Sequence, residues 1–176
     1  MKRFLAVFLM MLFCLPVRAE MLLTGKAEYT ASEARKELQN TNPEKPDRKI
    51  VRARITDKEF EYNKSLLLKG KAELKDRTLA LFSDNSYAVM YKNEPEYVWY
   101  YARNGTLTHY EIKDGAAYPY KTFKYDLSGA MVNMSLRVSK AETFIFSPDG
   151  RLIAHWFKSN GYDETGRLIM RRKYLE

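Results

Sequence analysis

The chain has one cysteine, Cys14, in 176 residues, and two histidines, His109 and His155. The cysteine lies within an N-terminal apolar run, Phe4–Leu15, so the rest of the chain has no thiol for a disulfide, a thiolate metal site or a nucleophile. The histidines occur in neither His-x-His nor His-x-x-x-His spacing, which leaves no histidine metal motif. Glycine is scarce, at 8 residues, and none of it builds a phosphate-cradling loop or a Gly-x-Ser-x-Gly elbow. Beyond the N-terminal run no stretch is apolar enough to cross a bilayer as a helix. These absences exclude the chemistries that announce themselves as motifs; no cofactor and no metal is expected.

What is present begins with a leader pattern. Lys2 and Arg3 precede the apolar run, Pro16 breaks it, and Val17-Arg18-Ala19 places small residues three and one before a cleavage point. Residues 1–19 read as a secretory signal peptide. Phe13 precedes Cys14 where a lipobox needs a small side chain, so lipidation is not expected. The expected organisation is a cleaved 1–19 and a single β-rich domain, 20–176, with N-terminal strands and a short helix in 20–81 and hairpin repeats in 82–176. An exported domain without cysteine suits a bacterial envelope, in the periplasm or outside the cell.

The formal charge is +8, and three of its basic residues, Lys2, Arg3 and Arg18, belong to the leader. The rest of the excess is concentrated between Arg48 and Arg77 and at Arg167, Arg171, Arg172 and Lys173. In an envelope, the partners this charge favours are a lipid headgroup, lipopolysaccharide, a wall polymer or another envelope protein. Export argues against nucleic acid.

One short pattern recurs through the second half: an aromatic residue, three residues, Gly, one residue, an apolar residue. It reads Tyr101…Gly105…Leu107, Tyr125…Gly129…Met131, Phe146…Gly150…Leu152 and Tyr162…Gly166…Leu168, with a degenerate Phe82…Ser86…Ala88. Ser147-Pro148-Asp149-Gly150 shows the physics: Ser opens a type I turn, Pro presets φ, and Gly accepts φ > 0. A type I turn closed by such a Gly makes a bulged β-hairpin. The residue before the turn then pairs with the second residue after Gly, which predicts Tyr101–Leu107, Tyr125–Met131, Phe146–Leu152 and Tyr162–Leu168. The unequal spacing of the four glycines argues for a meander rather than a strict solenoid.

These repeats resemble the short bacterial Tyr/Gly β-hairpin repeats of the YD (Rhs-type) and MORN-like families. The resemblance implies a scaffold or binding surface and brings no catalytic residue. A second echo lies upstream. Leu23-Thr24-Gly25-Lys26-Ala27-Glu28-Tyr29 matches Leu68-Lys69-Gly70-Lys71-Ala72-Glu73-Leu74. It is similar to the strand unit of the periplasmic lipopolysaccharide-transport bridge (OstA-like) family. That likeness implies strand bends at Gly25 and Gly70 and an acyl trough lined by Leu66, Leu68 and Ala72.

The intervening chain carries fewer signals. Thr30-Ala31-Ser32-Glu33 is a capping box and predicts a helix from about Ala31 to Gln39. Alternation in Lys49–Thr56, with Val51, Ala53 and Ile55 opposite Arg52, Arg54 and Thr56, predicts a half-buried strand. Glu59–Tyr62, Leu66–Leu74 and Thr78–Phe82 continue the strand pattern, with turns at Asn63-Lys64 and Asp76-Arg77. Counting by twos puts His109 on the face of Leu107 and His155 opposite Leu152. It also puts Phe144, Phe146, Leu152, Ala154 and Trp156 on one face of a hairpin, with Ile145, Ile153 and Phe157 on the other. The last hairpin, with Arg171 and Lys173 alternating with Met170 and Tyr174, reads as a charged edge.

The expected fold is all-β, mainly antiparallel: a curved sheet, sandwich or half-barrel of hairpin repeats with one short N-terminal helix. The expected function is a non-enzymatic envelope scaffold or binding module. A lipid or lipopolysaccharide carrier and a hydrolase using His109 or His155 are the alternatives. The candidate ligand contacts are Tyr97, Trp99, Tyr101, Arg52, Arg54 and Trp156; Gly105, Gly129, Gly150 and Gly166 are structural turn residues.

Overall fold

A computed structural model of the chain describes residues 29–41, 43 and 47–171. The leader, Gly25, and the C-terminal Lys173 and Tyr174 lie outside the described residues. Ten strands form an antiparallel sheet in sequence order: β1 (Arg77–Leu81), β2 (Tyr87–Tyr91), β3 (Tyr97–Tyr101), β4 (Leu107–Lys113), β5 (Tyr120–Asp126), β6 (Met131–Arg137), β7 (Glu142–Phe146), β8 (Leu152–Phe157), β9 (Asn160–Tyr162) and β10 (Leu168–Arg171). The fold is all-β and mainly antiparallel, and among the described residues three short helices precede the first strand: α1 (Ala31–Gln39), α2 (Arg48–Ala53) and α3 (Phe60–Leu68). The chain divides into two compact units, Asn42–Met134 and Met1–Thr41 with Ser135–Glu176.

The hairpin turns form by the mechanism read from their residues. In each of the four, the first turn residue accepts a hydrogen bond from Gly N and donates through its own N–H to the residue after Gly. For Ser147 these distances are 2.9 and 2.9 Å, and for Asp163 3.0 and 3.0 Å. All four glycines have φ between 79° and 84°. The pairs Tyr101–Leu107, Phe146–Leu152 and Tyr162–Leu168 are in register, each beside a bulge. Asp126 and Asp163 tie their turns further, each accepting from a hydroxyl and two backbone N–H groups through Oδ1.

The degenerate copy is displaced by one residue from its expected position. Asn85, not Ser86, holds the left-handed conformation (φ 64°), and the pair flanking the turn is Leu81–Tyr87. Asn is the residue that best replaces Gly there, because its short polar side chain tolerates that backbone.

The bulges also correct the face assignments. One extra residue after each turn inverts the alternation downstream. His109 pairs with Tyr100 and so lies opposite Leu107, which pairs with Tyr101. His155 pairs with Phe144 and shares the face of Leu152, whereas Ala154 and Trp156 lie with Ile145 and Thr143 on the other face.

In the unit that includes residues 135–171, α1 has the capping box read from its sequence: Thr30 N donates to Glu33 at 2.8 Å and Glu33 N to Thr30 Oγ1 at 3.2 Å. Its buried residues are Ala34 and Leu38, and Arg35 lies 5.7 Å over the Phe146 ring. β10 is exposed at all four residues.

In the Asn42–Met134 unit, two helices stand where three strands are expected. Asp47 caps α2, accepting from Lys49 N at 2.7 Å. The apolar residues of Lys49–Thr56 had suggested a strand because alternation over so short a run also fits a helix with two lined sides. α3 replaces the strands expected at Glu59–Tyr62 and Leu66–Leu74 and absorbs the turn expected at Asn63-Lys64. It ends in a Schellman motif: Lys71 N donates to Leu66 O at 2.9 Å and Gly70 N to Leu67 O at 3.0 Å, with Gly70 at φ 68°. Gly70 is thus a helix terminator, not a strand bend. Leu66 is buried within a helix and Leu68 is 77% exposed, so they do not line a common trough.

α2 and α3 cover one face of β1–β5, where Tyr87, Val89, Trp99, Tyr101, Leu107, Tyr110 and Tyr125 are buried. The link between helices and sheet is the β3–β4 turn. Asp57 N donates to Gly105 O at 2.9 Å, Leu107 N to Ile55 O at 2.8 Å, and Thr56 bridges Thr106. A Cβ on Gly105 would stand 3.0 Å from the Phe60 ring, whereas one on Gly129 would meet nothing within 4 Å. Both glycines have left-handed backbones. Gly129→Ala should therefore cost roughly 1–2 kcal/mol from the backbone alone, and Gly105→Ala about 1–3 kcal/mol more from overpacking on Phe60. Urea unfolding of the two variants measures the difference, and equal losses would show that Phe60 yields freely.

Candidate functional site

Helix α2 has two lined sides, set by helical spacing. Ile50 and Ala53 stand at i and i+3 on one, continued by Arg54 at the helix C-cap; Arg48, Val51 and Arg52 stand at i, i+3 and i+4 on the other, with Ile55 beyond the helix end. Each borders a cavity.

The first cavity, about 450 Å³, is lined by Ile50, Ala53, Arg54, Thr56, Asp57, Lys58, Glu59, Tyr91, Glu94 and Tyr101. Beneath it is a polar node. Asp57 is buried, and its carboxylate accepts from Tyr87 Oη at 2.7 Å, Asn63 Nδ2 at 2.9 Å and Glu59 N at 2.9 Å. Asn63 in turn accepts from Arg77 at 3.2 Å, and the same guanidinium pairs with Glu59 and Asp76. Burial, then the hydrogen bond to Asp57, pushes the Tyr87 hydroxyl well above the usual phenol range. The hydrogen bonds to Asp76 and Glu59 hold Arg77 firmly protonated. Arg54 crosses the cavity wall with its guanidinium 4.0 Å over the Tyr91 ring, and its Nη2 donates to Glu94 at 3.1 Å.

The second cavity, about 710 Å³, is a groove lined by Pro43, Arg48, Val51, Arg52, Ile55, Tyr110, Tyr125, Leu127, Ser128, Gly129 and Met131. Its base is the buried Val51, Tyr110 and Tyr125. Its apolar rim, Ile55 and Leu127, is 44% and 45% exposed. Burial raises the Tyr110 hydroxyl to about 12, so the groove base carries no charge at neutral pH from that ring. Arg48 and Arg52 are exposed, one helical turn apart, and neither makes an ion pair among the described residues.

The sequence-derived ligand contacts are divided by this geometry. Arg52 borders the groove and Arg54 the first cavity, both from a helix rather than the expected strand. Trp99, at 0% exposure, Tyr101, at 1%, and Trp156, at 5%, are core residues and not an external stacking platform. Tyr97 stacks on Trp99 with ring centroids 5.1 Å apart. Tyr101 nevertheless lines the first cavity. Arg48, Asp57, Tyr91 and Glu94 were not singled out as site residues. For Arg48, the signal was present in the capping Asp47 followed by arginines spaced four apart.

Neither histidine takes the position a hydrolase needs, in a cleft beside a carboxylate and a hydroxyl. His155 does pair with Glu142, at 2.7 Å, but it is fully buried and stacked on Phe144 at 4.1 Å. His109 lies on the sheet face opposite the helices, stacked on Tyr100 at 4.3 Å and 2.9 Å from Thr108 Oγ1 through Nδ1. Glu59 and Glu61, read as neighbours on a strand, lie at the start of α3, and Glu59 is engaged by Arg77. No group of three potential metal ligands occurs among the described residues, and no helix among them is long and apolar enough to cross a membrane. No protein-family model, curated protein or solved structure matches the chain.

Two measurements follow from this geometry. Burial, and then the charge of Lys124, hold the His109 pKa down to about 4. The unfolded chain takes up that proton near the ordinary value of about 6.5. Stability is therefore complete above the ordinary value and is lost as pH falls from there toward about 4. His109→Gln should flatten the stability profile in that window, and an NMR titration of the wild-type ring should have its midpoint near the lower value. At the buried node, Tyr87→Phe should cost roughly 1.5–3 kcal/mol, the loss of one hydrogen bond to a carboxylate. Asp57→Ala strands three donors and should cost more, about 3–5 kcal/mol. Thermal unfolding of the pair tests the order.

Proposed function

We propose that the protein is a non-catalytic binding module of the bacterial envelope that holds an anionic amphiphile, a lipid headgroup with its first acyl carbons, in the groove beside α2. The observation that carries this reading is the combination on one groove of two exposed arginines without ion pairs among the described residues and an exposed apolar rim. Arg48 and Arg52 supply attraction for a phosphate; Ile55, Leu127 and Met131 supply the apolar contact that a purely ionic partner would not need. A groove of about 710 Å³ is within the range of small-molecule sites. The leader-like residues 1–19, and the +5 that remains of the +8 formal charge without Lys2, Arg3 and Arg18, support an exported protein that meets anionic surfaces.

Flotation with phosphatidylglycerol and phosphatidylcholine vesicles tests this reading. The protein should float with the anionic vesicles and not with the neutral ones. Replacing both arginines, Arg48→Gln with Arg52→Gln, should weaken binding by about 2 kcal/mol, roughly thirtyfold, at about 1 kcal/mol per basic residue. Leu127→Asn should weaken it as well, because the apolar rim is half of the argument. Equal binding to both vesicle types would exclude the reading, and so would an unaffected double variant. Loss in the arginine variant without loss in Leu127→Asn would reduce the groove to an ordinary basic surface.

A further inference from the structure

The first cavity, on the other side of α2, shares no residue with the groove and stands on separate observations. Tyr101 is buried to 1% exposure, and its hydroxyl has no hydrogen-bond partner among the described residues. A buried hydroxyl left unpaired costs about 1–3 kcal/mol, so such a group calls for an explanation. Burial raises its pKa, and the charges that act on it further include Asp57, Arg54 and Glu94. All three line the same cavity as Tyr101.

The hydrogen-bonding inventory of the wall is unbalanced. Its acceptors are committed: Asp57 to three donors, Glu59 to Arg77, and Glu94 to Arg54. Its donors are not. Arg54 uses Nη2 alone, so most of its N–H groups remain, and the Tyr101 hydroxyl and the exposed Lys58 ammonium also have no partner among the described residues. The wall has no surplus of positive charge, since Asp57, Glu59 and Glu94 stand with Arg54 and Lys58, but the unused donors of Arg54 and Tyr101 call for a ligand that brings acceptors. The guanidinium lies 4.0 Å over the Tyr91 ring with one corner on Glu94. What it still offers is a planar set of donors, which matches the two coplanar oxygens of a carboxylate. A phosphate dianion would meet stronger repulsion from Asp57, Glu59 and Glu94 than a carboxylate monoanion would.

We propose that this cavity is a binding site for a small organic carboxylate, gripped by the Arg54 guanidinium and the Tyr101 hydroxyl. Acid sugars and short hydroxy-monocarboxylates have the required group, charge and size.

The test is an NMR titration of the intact, isotope-labelled protein with galacturonate and with lactate. Galactose, inorganic phosphate and sodium chloride at matched ionic strength serve as comparisons. At least one carboxylate should cause saturable shifts at residues of the cavity, among them Thr56, Lys58 and Tyr91. Tyr101→Phe, which removes only the hydroxyl, should weaken binding about fivefold. Arg54→Lys keeps the charge and removes the planar fork, and should weaken it tenfold or more. The wild-type-like spectra expected for both variants would show that folding is intact; if Arg54→Lys unfolds the chain, Tyr101→Phe alone decides. Saturation by galactose or by phosphate in place of the carboxylates would overturn the assignment. Shifts reproduced by sodium chloride, no saturation by either carboxylate at tens of millimolar, or an affinity unmoved in Tyr101→Phe would overturn it equally.

Discussion

The contact between the β3–β4 turn and the chain at Ile55–Phe60 is the constraint on which the Asn42–Met134 unit depends. A hairpin turn is ordinarily a solvent-exposed reversal. Here it is also a docking point: the Gly105 carbonyl accepts from Asp57 N, Thr106 bridges Thr56, and the Phe60 ring lies against Gly105 where any side chain would stand. That clasp sets the exit of α2 and the entry of α3. It also turns the Asp57 carboxylate inward to Tyr87 and Asn63, and through Asn63 to Arg77 on β1. The buried node, in turn, closes the floor of the cavity at Arg54 and Tyr91. The same glycine therefore serves a local turn, a tertiary contact and, at one remove, a binding wall.

The segment Arg48–Arg54, helix α2 and its C-cap, shows how seven residues can serve two surfaces. Its sides are too narrow for a conventional amphipathic helix, and neither is simply apolar. One presents Arg48 and Arg52 above an apolar groove; the other sends Arg54 onto the Tyr91 ring. Stacking on an aromatic ring holds a guanidinium in a fixed plane, which lowers the entropic cost of using its donors. Arginines on the exposed side have no such restraint and suit a looser, longer-range attraction to an anionic surface. The two proposed sites thus make different demands on the same residue type.

The hairpin turns were legible because their determinants are local. Ser or Asp opening the turn and Gly at the left-handed position specify φ, bulge and closing pair within seven residues, and Tyr101–Leu107, Phe146–Leu152 and Tyr162–Leu168 pair as expected. The capping box of α1 was legible for the same reason. Faces beyond the bulge were misread at His109 and His155, although the bulge itself was expected. Counting by twos ignores the inserted residue, and a single insertion moves every later side chain to the opposite face.

By itself, the sequence determined the β-meander, its turn chemistry and the first helix, because each rests on backbone preferences of a few adjacent residues. It also determined a chain rich in positive charge and poor in catalytic motifs. Only the tertiary structure decided that Arg48–Ala53 and Phe60–Leu68 are helices. Their short alternating runs are compatible with either period, and the covering of Tyr87, Trp99 and Tyr101 selects the helical one. Tertiary structure alone decided, too, that Trp99 is core, that Tyr101 is buried with an unpaired hydroxyl, and that Arg52 and Arg54 serve different cavities. Burial and pairing across forty residues, as between Arg54 and Glu94, follow from packing, and no local pattern encodes them.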